Sequence, residues 1–492
     1  MSRNVRMASM GFNFGDEEEE PAVQQQQQKK KPSRMSNAGT LSASLLVCSH
    51  VLKGAVGEAW IAALATTNKF QGSNKEVFAA YSKFYGLLLS AGYDSWEDYL
   101  LEQLLLGRDN SFARAAAQGT LGANAPILQA VAYDLDVLQE IAVPLEGMAE
   151  YIGTMAPTAG PYWVDAASKV SIKQPVKKLN SSSRTPVPAL ALATNMPSQF
   201  IQRPPTVQEL GEWKAAIVNK ESWSDAVPLL QQYYHLHGFG ITSRNTALRW
   251  SKGAFEEGAE GSAAHQPTLP ALQPQCSALA ANLARHCEGQ PAHHALLVGP
   301  TGGGKSWLLW EATVLAGREK GLRVVDVGSS EFSNILEIAR GCARYPRVRF
   351  VLVADHLDWP LRGAVANDLL SGLSGSGPSG WPSNTILYAG ASASNGVNYD
   401  SLTSRFGLIV RTSDLTPEVF GSTVRCIASA AAAKMAAPAS AAGAEGGGSS
   451  SASEVQISEE DMGAALAWAS QHGGLTIRGA STYVKQAMSP AS

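Results

Sequence analysis

The sequence predicts an α/β fold, in which a parallel sheet is flanked by helices, with a helical domain before the sheet and a small helical unit after it. Short apolar runs between residues 271 and 430 alternate with helical stretches, and most are bounded by Gly, Pro, Ser or Asp. The runs lie at 295–298, 323–327, 349–354, 385–389 and 407–410. Such runs are typical of strands buried on both faces. Their alternation with helices favours a parallel sheet covered on both sides.

The composition of the chain excludes several classes of protein. Its 39 basic and 42 acidic side chains give a formal net charge of −3, so we do not expect the basic surface that general nucleic-acid binding requires. The apolar runs stay far below the ~18 residues that a membrane-spanning helix needs, and membrane insertion is not expected. The five cysteines form no CxxC pair, which argues against a disulfide framework or zinc ribbon and favours a reducing, intracellular compartment.

Residues 1–40 predict a disordered, low-complexity tail. They hold an acidic block, a run of glutamines and three consecutive lysines, without the apolar periodicity that would offset the entropy cost of ordering. Residues 1–15 contain Arg and Ser and lack acidic side chains, which is typical of organelle transit segments. The acidic run Glu17–Glu20 that follows is not typical of them. The cytoplasm and the chloroplast therefore both stay open as the compartment.

Residues 41–155 predict an N-terminal helical domain. Apolar side chains between residues 127 and 141 recur at three- and four-residue steps, which places them on one face of a helix. Ser95 and Asp98 form a capping box, which predicts that another helix begins at Trp96.

The remaining domain boundaries follow from changes in composition. Residues 156–205 are rich in Pro and Ser and predict a linker, and residues 206–270 predict a helical connector and a loop. The α/β core then spans residues 271–430. It is followed by an Ala/Gly/Ser-rich insertion at 431–456 and a helical lid at 457–492.

A glycine-rich loop follows the first predicted strand of the core. It fits the pattern G-x-x-x-x-G-K-[ST], with a strand before it and a helix after it. Backbone N–H groups and the helix N-terminus would surround a phosphate, Lys305 would reach the outer phosphates, and the Ser306 hydroxyl would hold Mg²⁺. The predicted binding residues for ATP are Gly299, Pro300, Thr301, Gly302, Gly303, Gly304, Lys305 and Ser306.

Asp355 supplies the second element of this site. It ends the apolar strand predicted at 349–354, within the same series of strands and helices as the glycine-rich loop. A carboxylate at this place would hold Mg²⁺ through water, so Ser306 and Asp355 are the predicted metal ligands. A simple turn or helix cap is the alternative role for an Asp that ends a strand.

These residues, with Ser-Leu-Thr-Ser-Arg-Phe-Gly-Leu at 401–408, resemble an AAA+ ATPase. More narrowly they resemble a bacterial family of predicted AAA+ ATPases that is described as a domain of unknown function. The likeness includes segments 95–101, 110–116, 233–240 and 247–250. It implies a P-loop NTPase core with a small C-terminal helical lid and an N-terminal helical domain.

The resemblance also implies roles for two arginines. Arg405 stands where these ATPases place the arginine finger, which reaches the nucleotide of a neighbouring subunit and neutralises charge on its γ-phosphate. Arg478 stands at the lid position called sensor 2, which would contact bound nucleotide. A homo-oligomer acting on an unknown protein client is therefore the expected assembly.

Two positions depart from the family pattern. His356 stands where a second carboxylate usually orients the attacking water, and Ser392 stands where a polar sensor is usually Asn. The predicted catalytic set is thus Lys305, Asp355, His356, Ser392 and Arg405.

These departures leave two functions open. One is a slow ATPase that remodels a macromolecule, and the other is a hydrolysis-deficient ATP-binding scaffold whose assembly or partner docking is gated by nucleotide. A nucleic-acid motor rests on fold analogy alone.

Overall fold

The computed structural model describes the N-terminal helices, the sheet with its flanking helices, and most of the lid. The described residues are 34–67, 74–107, 110–122, 125–155, 163–165, 167, 201–258, 269–317, 321–355, 369, 372–373, 380–392, 404–436 and 459–487. His356, residues 1–33, most of the linker and most of the insertion therefore lie outside the described residues. In the part of the chain that the structure describes, none of the helices combines the length and apolar character that crossing a membrane requires.

The N-terminal part of the chain is helical, as the sequence predicts. Its helices are α1 (Arg34–Ala43), α2 (Ala55–Thr67), α3 (Asn74–Ser90), α4 (Trp96–Leu106), α5 (Ser111–Gln118), α6 (Pro126–Ile141) and α7 (Leu145–Met155). Ser95 caps α4 by accepting a hydrogen bond from the Asp98 N–H at 3.3 Å, so the predicted helix start is confirmed. The start of α1 differs from the prediction, because residues 34–40 are helical and Ala38 is fully buried.

A buried carboxylate holds the start of the helical domain in place. Asp134 on α6 is fully buried, and its oxygens accept the N–H groups of Leu46, Val47 and Cys48 at 2.7–2.8 Å. Three charge-assisted hydrogen bonds offset the cost of burying the charge. The segment that enters the 3₁₀ helix Cys48–Leu52 is thereby fixed to α6.

The core contains a seven-stranded sheet in the order β2-β1-β4-β5-β6-β3-β7. The strands are β1 (Ala247–Ser251), β2 (Ala254–Glu257), β3 (Ala295–Gly299), β4 (Leu322–Asp326), β5 (Arg349–Ala354), β6 (Thr385–Ser392) and β7 (Leu408–Arg411). All neighbouring pairs are parallel except the β1–β2 hairpin, which lies in the segment predicted as connector and loop. Its outer strand β2 is largely exposed and ends in two glutamates, so it lacks the apolar signal of a buried strand.

Helices cover both faces of this sheet, which confirms the predicted fold class. Before them in the chain, α8 (Val207–Val218) and α9 (Val227–His237) pack with the N-terminal helices. The helices on the sheet are α10 (Ile241–Arg244), α11 (Gln273–Cys287), α12 (Lys305–Gly317) and α13 (Ile335–Ala343). Alternate residues of the buried strands belong to different apolar clusters. Leu296 packs in the cluster that contains α13, and Leu297 packs in the cluster that contains α11 and α12. This alternation is what a strand buried on both faces requires.

The C-terminal helices form the lid with a small apolar core of their own. They are α14 (Pro417–Ala436), α15 (Glu459–Gln471) and α16 (Ile477–Ala487). Phe420, Val424 and Val484 are buried between them. A backbone hydrogen bond joins the segment before α14 to the segment before α16: the Leu415 N–H donates to the Leu475 carbonyl at 2.8 Å.

Gln202 and Arg323 join the helical domain to the core. The Gln202 side chain donates to the Ala117 carbonyl of α5 at 3.0 Å, and its backbone N–H donates to the Arg347 carbonyl at 2.9 Å. Arg323 on β4 is fully buried, and its guanidinium donates to the backbone carbonyls of Gln202 and Thr242. Burial lowers the pKa of Arg323 to about 9, and the carbonyl oxygens partly offset that cost.

Candidate nucleotide-binding site

The glycine-rich loop connects β3 to α12 at the carboxyl edge of the sheet. Gly302 and Gly304 have φ angles of 85° and 86°, which only glycine adopts without strain, so the loop can curve back over the strand. The Gly303 N–H donates to the Pro300 carbonyl at 3.1 Å, and the Leu308 N–H donates to the Gly304 carbonyl at 2.9 Å. The loop thus leads directly into the first turn of α12, whose N–H groups face the loop.

Lys305 closes the centre of the loop. Its Nζ atom donates to the Gly299 carbonyl at 3.0 Å and to the Pro300 carbonyl at 2.8 Å, and the residue is buried. The ammonium therefore occupies the interior of the loop and brings positive charge to the helix N-terminus. Both features favour a polyphosphate anion at this place.

Asp355 and Ser392 lie on neighbouring strands at the same edge. Register pairs Gly299 of β3 with Ser392 of β6, so the Ser392 hydroxyl lies beside the loop. Asp355 follows β5, and its Oδ1 lies 2.9 Å from the point that a Cβ atom would occupy on Gly390 of β6. The missing side chain at Gly390 gives the carboxylate room to lie across β6 towards β3.

A further carboxylate stands at this edge, on β4, and was not predicted from the sequence. Burial raises the pKa of Asp326, Arg249 lowers it, and the negative charge of Asp355 raises it again. Asp326 and Asp355 thus place two carboxylates at the carboxyl edge of the sheet.

A cavity of about 420 Å³ lies between the loop and the lid. Its volume is within the range of small-molecule sites, roughly 300–1,000 Å³. The residues that line it are Leu269, Thr301, Gly302, Gly304, Lys305, Ser306, Trp307, Ser392, Ile427, Ile477, Arg478, Ser481, Thr482 and Lys485. The phosphate-binding loop forms one end, and three aliphatic side chains, Leu269, Ile427 and Ile477, supply an apolar wall.

Helix α16 contributes one polar face to this cavity. Arg478, Ser481, Thr482 and Lys485 all line it, at the three- and four-residue spacing that places side chains on one side of a helix. The Arg478 N–H donates to the Gly302 carbonyl at 3.1 Å, so the lid is hydrogen-bonded to the loop itself. Lys485 was missed from the sequence, although its position seven residues after Arg478 is the signal that could have found it.

The structure brings most of the predicted site residues together and places Arg405 apart from them. The residues that meet at the cavity are Thr301, Gly302, Gly304, Lys305, Ser306, Ser392 and Arg478. Gly299, Pro300 and Gly303 belong to the same loop but do not line the cavity, and Asp355 lies at the same edge of the sheet. Arg405 is exposed and precedes β7, at the opposite edge of the sheet from the loop. The length of β3, about 13 Å at ~3.3 Å per residue, separates the two edges. His356 lies outside the described residues.

The strand order, the loop between β3 and α12, and the helical lid define a P-loop nucleotide-binding fold of the AAA+ class. Residues 243–396 match the family described as "Protein of unknown function (DUF815)". This match confirms, over the core, the resemblance drawn from the sequence. A comparison with curated proteins gives no match.

Solved structures also resemble part of the chain. The Thermotoga maritima RuvB Holliday junction branch migration motor is 21% identical, with a TM-score of 0.29 over 44% of this chain and 61% of that chain. C. elegans PCH-2 is 14% identical, with a TM-score of 0.25 over 34% of this chain and 47% of that chain. The HORMA:CdnC:Trip13 complex of E. coli MS115-1 contains a chain that is 13% identical, with a TM-score of 0.26 over 45% of this chain and 90% of that chain. The matched region spans less than two thirds of the RuvB chain, and the likeness concerns the fold alone.

Proposed function

We propose that the protein binds ATP·Mg²⁺ between the P-loop and the lid, and hydrolyses it slowly in a homo-oligomer that remodels a protein client. The observation that carries the proposal is the loop closed on its own lysine, with Lys305 Nζ 2.8 Å from the Pro300 carbonyl oxygen. A buried ammonium beside helix N–H groups gives the loop a positive potential that a triphosphate would satisfy. Binding would draw the ammonium from the carbonyl oxygens to the outer phosphates.

Mg²⁺ would bind beside the phosphates, to Ser306 and, through water, to Asp355. Oxygen ligands of these types are the ones that Mg²⁺ prefers. Across the described residues, no group of three or more His, Cys, Asp or Glu side chains could hold a metal ion. When bound, Mg²⁺ would neutralise charge that develops on the transferred phosphoryl group.

The other end of the cavity suits a purine base. The aliphatic side chains of Leu269, Ile427 and Ile477 come from the segment before α11, from α14 and from α16. These three side chains would pack against a flat base, with one contributed by the core and two by the lid. The polar face of α16 would lie along the sugar and the phosphates. Lid position would then depend on the nucleotide.

Arg405 would act on the nucleotide of a neighbouring subunit. Its exposed side chain and its place at the amino edge of the sheet keep it away from the P-loop of its own chain. A buried neighbour, Phe406, fixes the backbone next to it. In an oligomer, this arginine would neutralise charge on the partner's γ-phosphate.

The alternative function is an ATP-binding scaffold that hydrolyses little or no ATP. It is favoured by Ser392, whose short hydroxyl stands beside Gly299 where a longer amide would orient water better. The histidine at position 356 adds to this, since loss of a catalytic base commonly costs about 10²–10⁴ in rate. Nucleotide binding would then gate assembly or partner docking.

Calorimetry with the full chain tests the shared part of both functions. ATP·Mg²⁺ should bind the wild type, and Lys305→Ala should weaken binding about 10- to 100-fold, because one charged hydrogen-bond donor is lost. Lys220→Ala, at an exposed lysine, is the matched control and should bind like the wild type. The absence of any heat with the wild-type protein would contradict both functions.

Two measurements then distinguish the ATPase from the scaffold: the rate of phosphate release, and the size of the protein with and without ATP. Release that disappears in Lys305→Ala supports the ATPase. Binding without release supports the scaffold, and in that case His356→Glu should raise hydrolysis strongly.

A further inference from the structure

The segment that precedes β3 is fixed to α11 at the amino edge of the sheet. Asn282 on α11 is buried, and its side chain binds the backbone of His293 from both sides. Its Oδ1 atom accepts the His293 N–H at 3.0 Å, and its Nδ2 atom donates to the His293 carbonyl at 2.8 Å. Because both backbone groups of this residue are paired, the chain has a fixed position before β3 begins.

His294 connects this segment to the two strands that flank β3. Its Nδ1 atom accepts the Leu387 N–H of β6 at 3.0 Å, and its backbone carbonyl accepts the Leu408 N–H of β7 at 3.2 Å. Burial lowers the pKa of His294 to about 4, so near neutral pH the ring is uncharged and Nδ1 can accept a hydrogen bond. The imidazole therefore has a fixed orientation at the amino edge.

The His294 ring packs against the residue that follows Arg405. It lies edge-to-face with the Phe406 ring at 6.4 Å between centroids, and edge-to-face with the Trp381 ring at 5.1 Å. Phe406 is itself buried. Edge-to-face contacts at such distances are favourable and restrict the orientation of both rings. The contact therefore fixes Phe406 relative to β3 and β6.

His293 restricts the next residue in the same way. A Cβ atom on Gly407 would overlap the His293 ring and would lie 2.6 Å from its Cγ atom, so the ring and the glycine backbone are in close contact. Two adjacent histidines thus contact two adjacent residues directly after Arg405. Arg405 itself is exposed. An exposed side chain is placed reproducibly only where neighbouring groups hold its backbone.

We infer that His294, supported by His293, is a positioning residue for Arg405 and sets where that arginine meets the nucleotide of a neighbouring subunit. The inference rests on the proposed function of Arg405 in an oligomer. His294 lies at the opposite end of β3 from the P-loop, so it does not contact the nucleotide of its own chain. A misplacement of 1 Å can cost about 10²-fold in rate, so loss of the ring should slow hydrolysis without weakening ATP binding.

His294→Leu removes both the ring and its acceptor. Phosphate release should fall about 10- to 100-fold, while the calorimetric affinity for ATP·Mg²⁺ should stay within about twofold of the wild type. His286→Leu is the matched control, since His286 is a buried histidine of α11 that donates from Nε2 to the Asn384 carbonyl at 3.2 Å. It should lower the melting temperature and leave phosphate release unchanged. An equal loss of release in both variants would attribute the effect to destabilisation and overturn the inference.

His294→Phe separates the ring from the acceptor. Phenylalanine keeps a ring against Phe406 but leaves the Leu387 N–H without its acceptor, so the melting temperature should fall. Most of the phosphate release should remain, because the contact that holds Phe406 remains. A His294→Phe protein that releases phosphate as slowly as His294→Leu would contradict the role of the ring.

Mixed subunits test the intersubunit role directly. His294→Leu subunits keep an intact P-loop and Lys305→Ala subunits keep a correctly placed Arg405, so mixing them should recover phosphate release. Mixing His294→Leu with Arg405→Ala should recover none, because neither subunit supplies a placed arginine. The mixture of Lys305→Ala with Arg405→Ala is the positive control. If the control recovers activity and the mixture of His294→Leu with Lys305→Ala does not, the inference is wrong.

Limited digestion with trypsin tests the same contact without nucleotide. Trypsin cleaves after arginine, and mass spectrometry identifies the fragment that begins at Phe406. This cleavage should be about 10-fold faster in His294→Leu than in the wild type or His286→Leu, because local opening of the segment exposes its backbone. Wild-type resistance in His294→Leu would overturn the inference.

Failure of the proposed function has a different signature. It would appear as a wild type that releases no phosphate, or as an Arg405→Ala protein that releases phosphate at the wild-type rate. Neither result depends on His294, and in both cases the digestion still decides whether this histidine holds the segment of Arg405.

Discussion

Gly390→Ala should weaken the magnesium-dependent part of ATP binding by displacing Asp355. A Cβ atom at Gly390 would lie 2.9 Å from Asp355 Oδ1, whereas ordinary contacts begin near 3.4 Å, so the carboxylate must retreat by about 0.5 Å. A misplacement of 1 Å can cost about 10²-fold in catalytic rate, and half of that displacement predicts a loss of rate on the order of 10-fold. Any phosphate release should fall by this factor, and the Mg²⁺-dependent affinity for ATP should fall as well.

The assay is calorimetric titration of ATP with Mg²⁺ and again with EDTA. Gly390→Ala should approach the wild type in EDTA and differ from it only when Mg²⁺ is present. Gly211→Ala is the control, because nothing lies within 4 Å of the added Cβ and the glycine is inside helix α8. It should raise the free energy of unfolding by about 0.5–1 kcal/mol and leave nucleotide binding unchanged. A Gly390→Ala protein with wild-type Mg²⁺ dependence would refute the role of Asp355.

Three further predictions concern stability and assembly. Asp134→Asn should lower the free energy of unfolding by on the order of 2–4 kcal/mol in urea titrations, because three N–H groups lose an anionic acceptor whose carboxylate is fully buried; a loss below ~1 kcal/mol would contradict this. Burial lowers the pKa of His286 to about 4. The imidazole therefore takes up a proton at a lower pH in the folded protein than in the unfolded chain. Stability should therefore fall as the pH drops from about 6.5 to 4, and His286→Gln should reduce that slope by up to about 1.4 kcal/mol per pH unit; an unchanged slope would refute the assignment. Arg405→Ala should keep ATP affinity but lose about 10³-fold or more in hydrolysis, and mixing it with Lys305→Ala subunits should restore activity if the arginine acts between subunits. No recovery on mixing would exclude that arrangement.

The features that could be predicted from the sequence are those encoded over short stretches. Five parallel strands follow apolar runs, and the loop at 299–306 has a fixed spacing, so both lie where the sequence predicts them. The capping residue Ser95 is likewise a local signal.

Features built from distant segments could not be predicted in this way. Leu269 and Lys485 meet at one cavity although more than two hundred residues separate them, and nothing local marks Leu269 as a site residue. Thr412 lies against Gly299 only because β7 pairs beside β3. The strand β2 is short and exposed, so its place in the sheet comes from pairing with β1 and not from its own composition.

The junction at Gln202 and Arg323 has a mechanical consequence. Gln202 is bonded at once to α5 through Ala117 and to β4 through Arg323, and both side chains are buried. Rotating the helical domain relative to the sheet would break several hydrogen bonds of the buried Arg323 guanidinium, which is costly because the charge would be left without acceptors. The N-terminal helices are therefore rigidly attached to the sheet and should move together with it. In the proposed function, a client bound by these helices would therefore move only when the sheet moves with it.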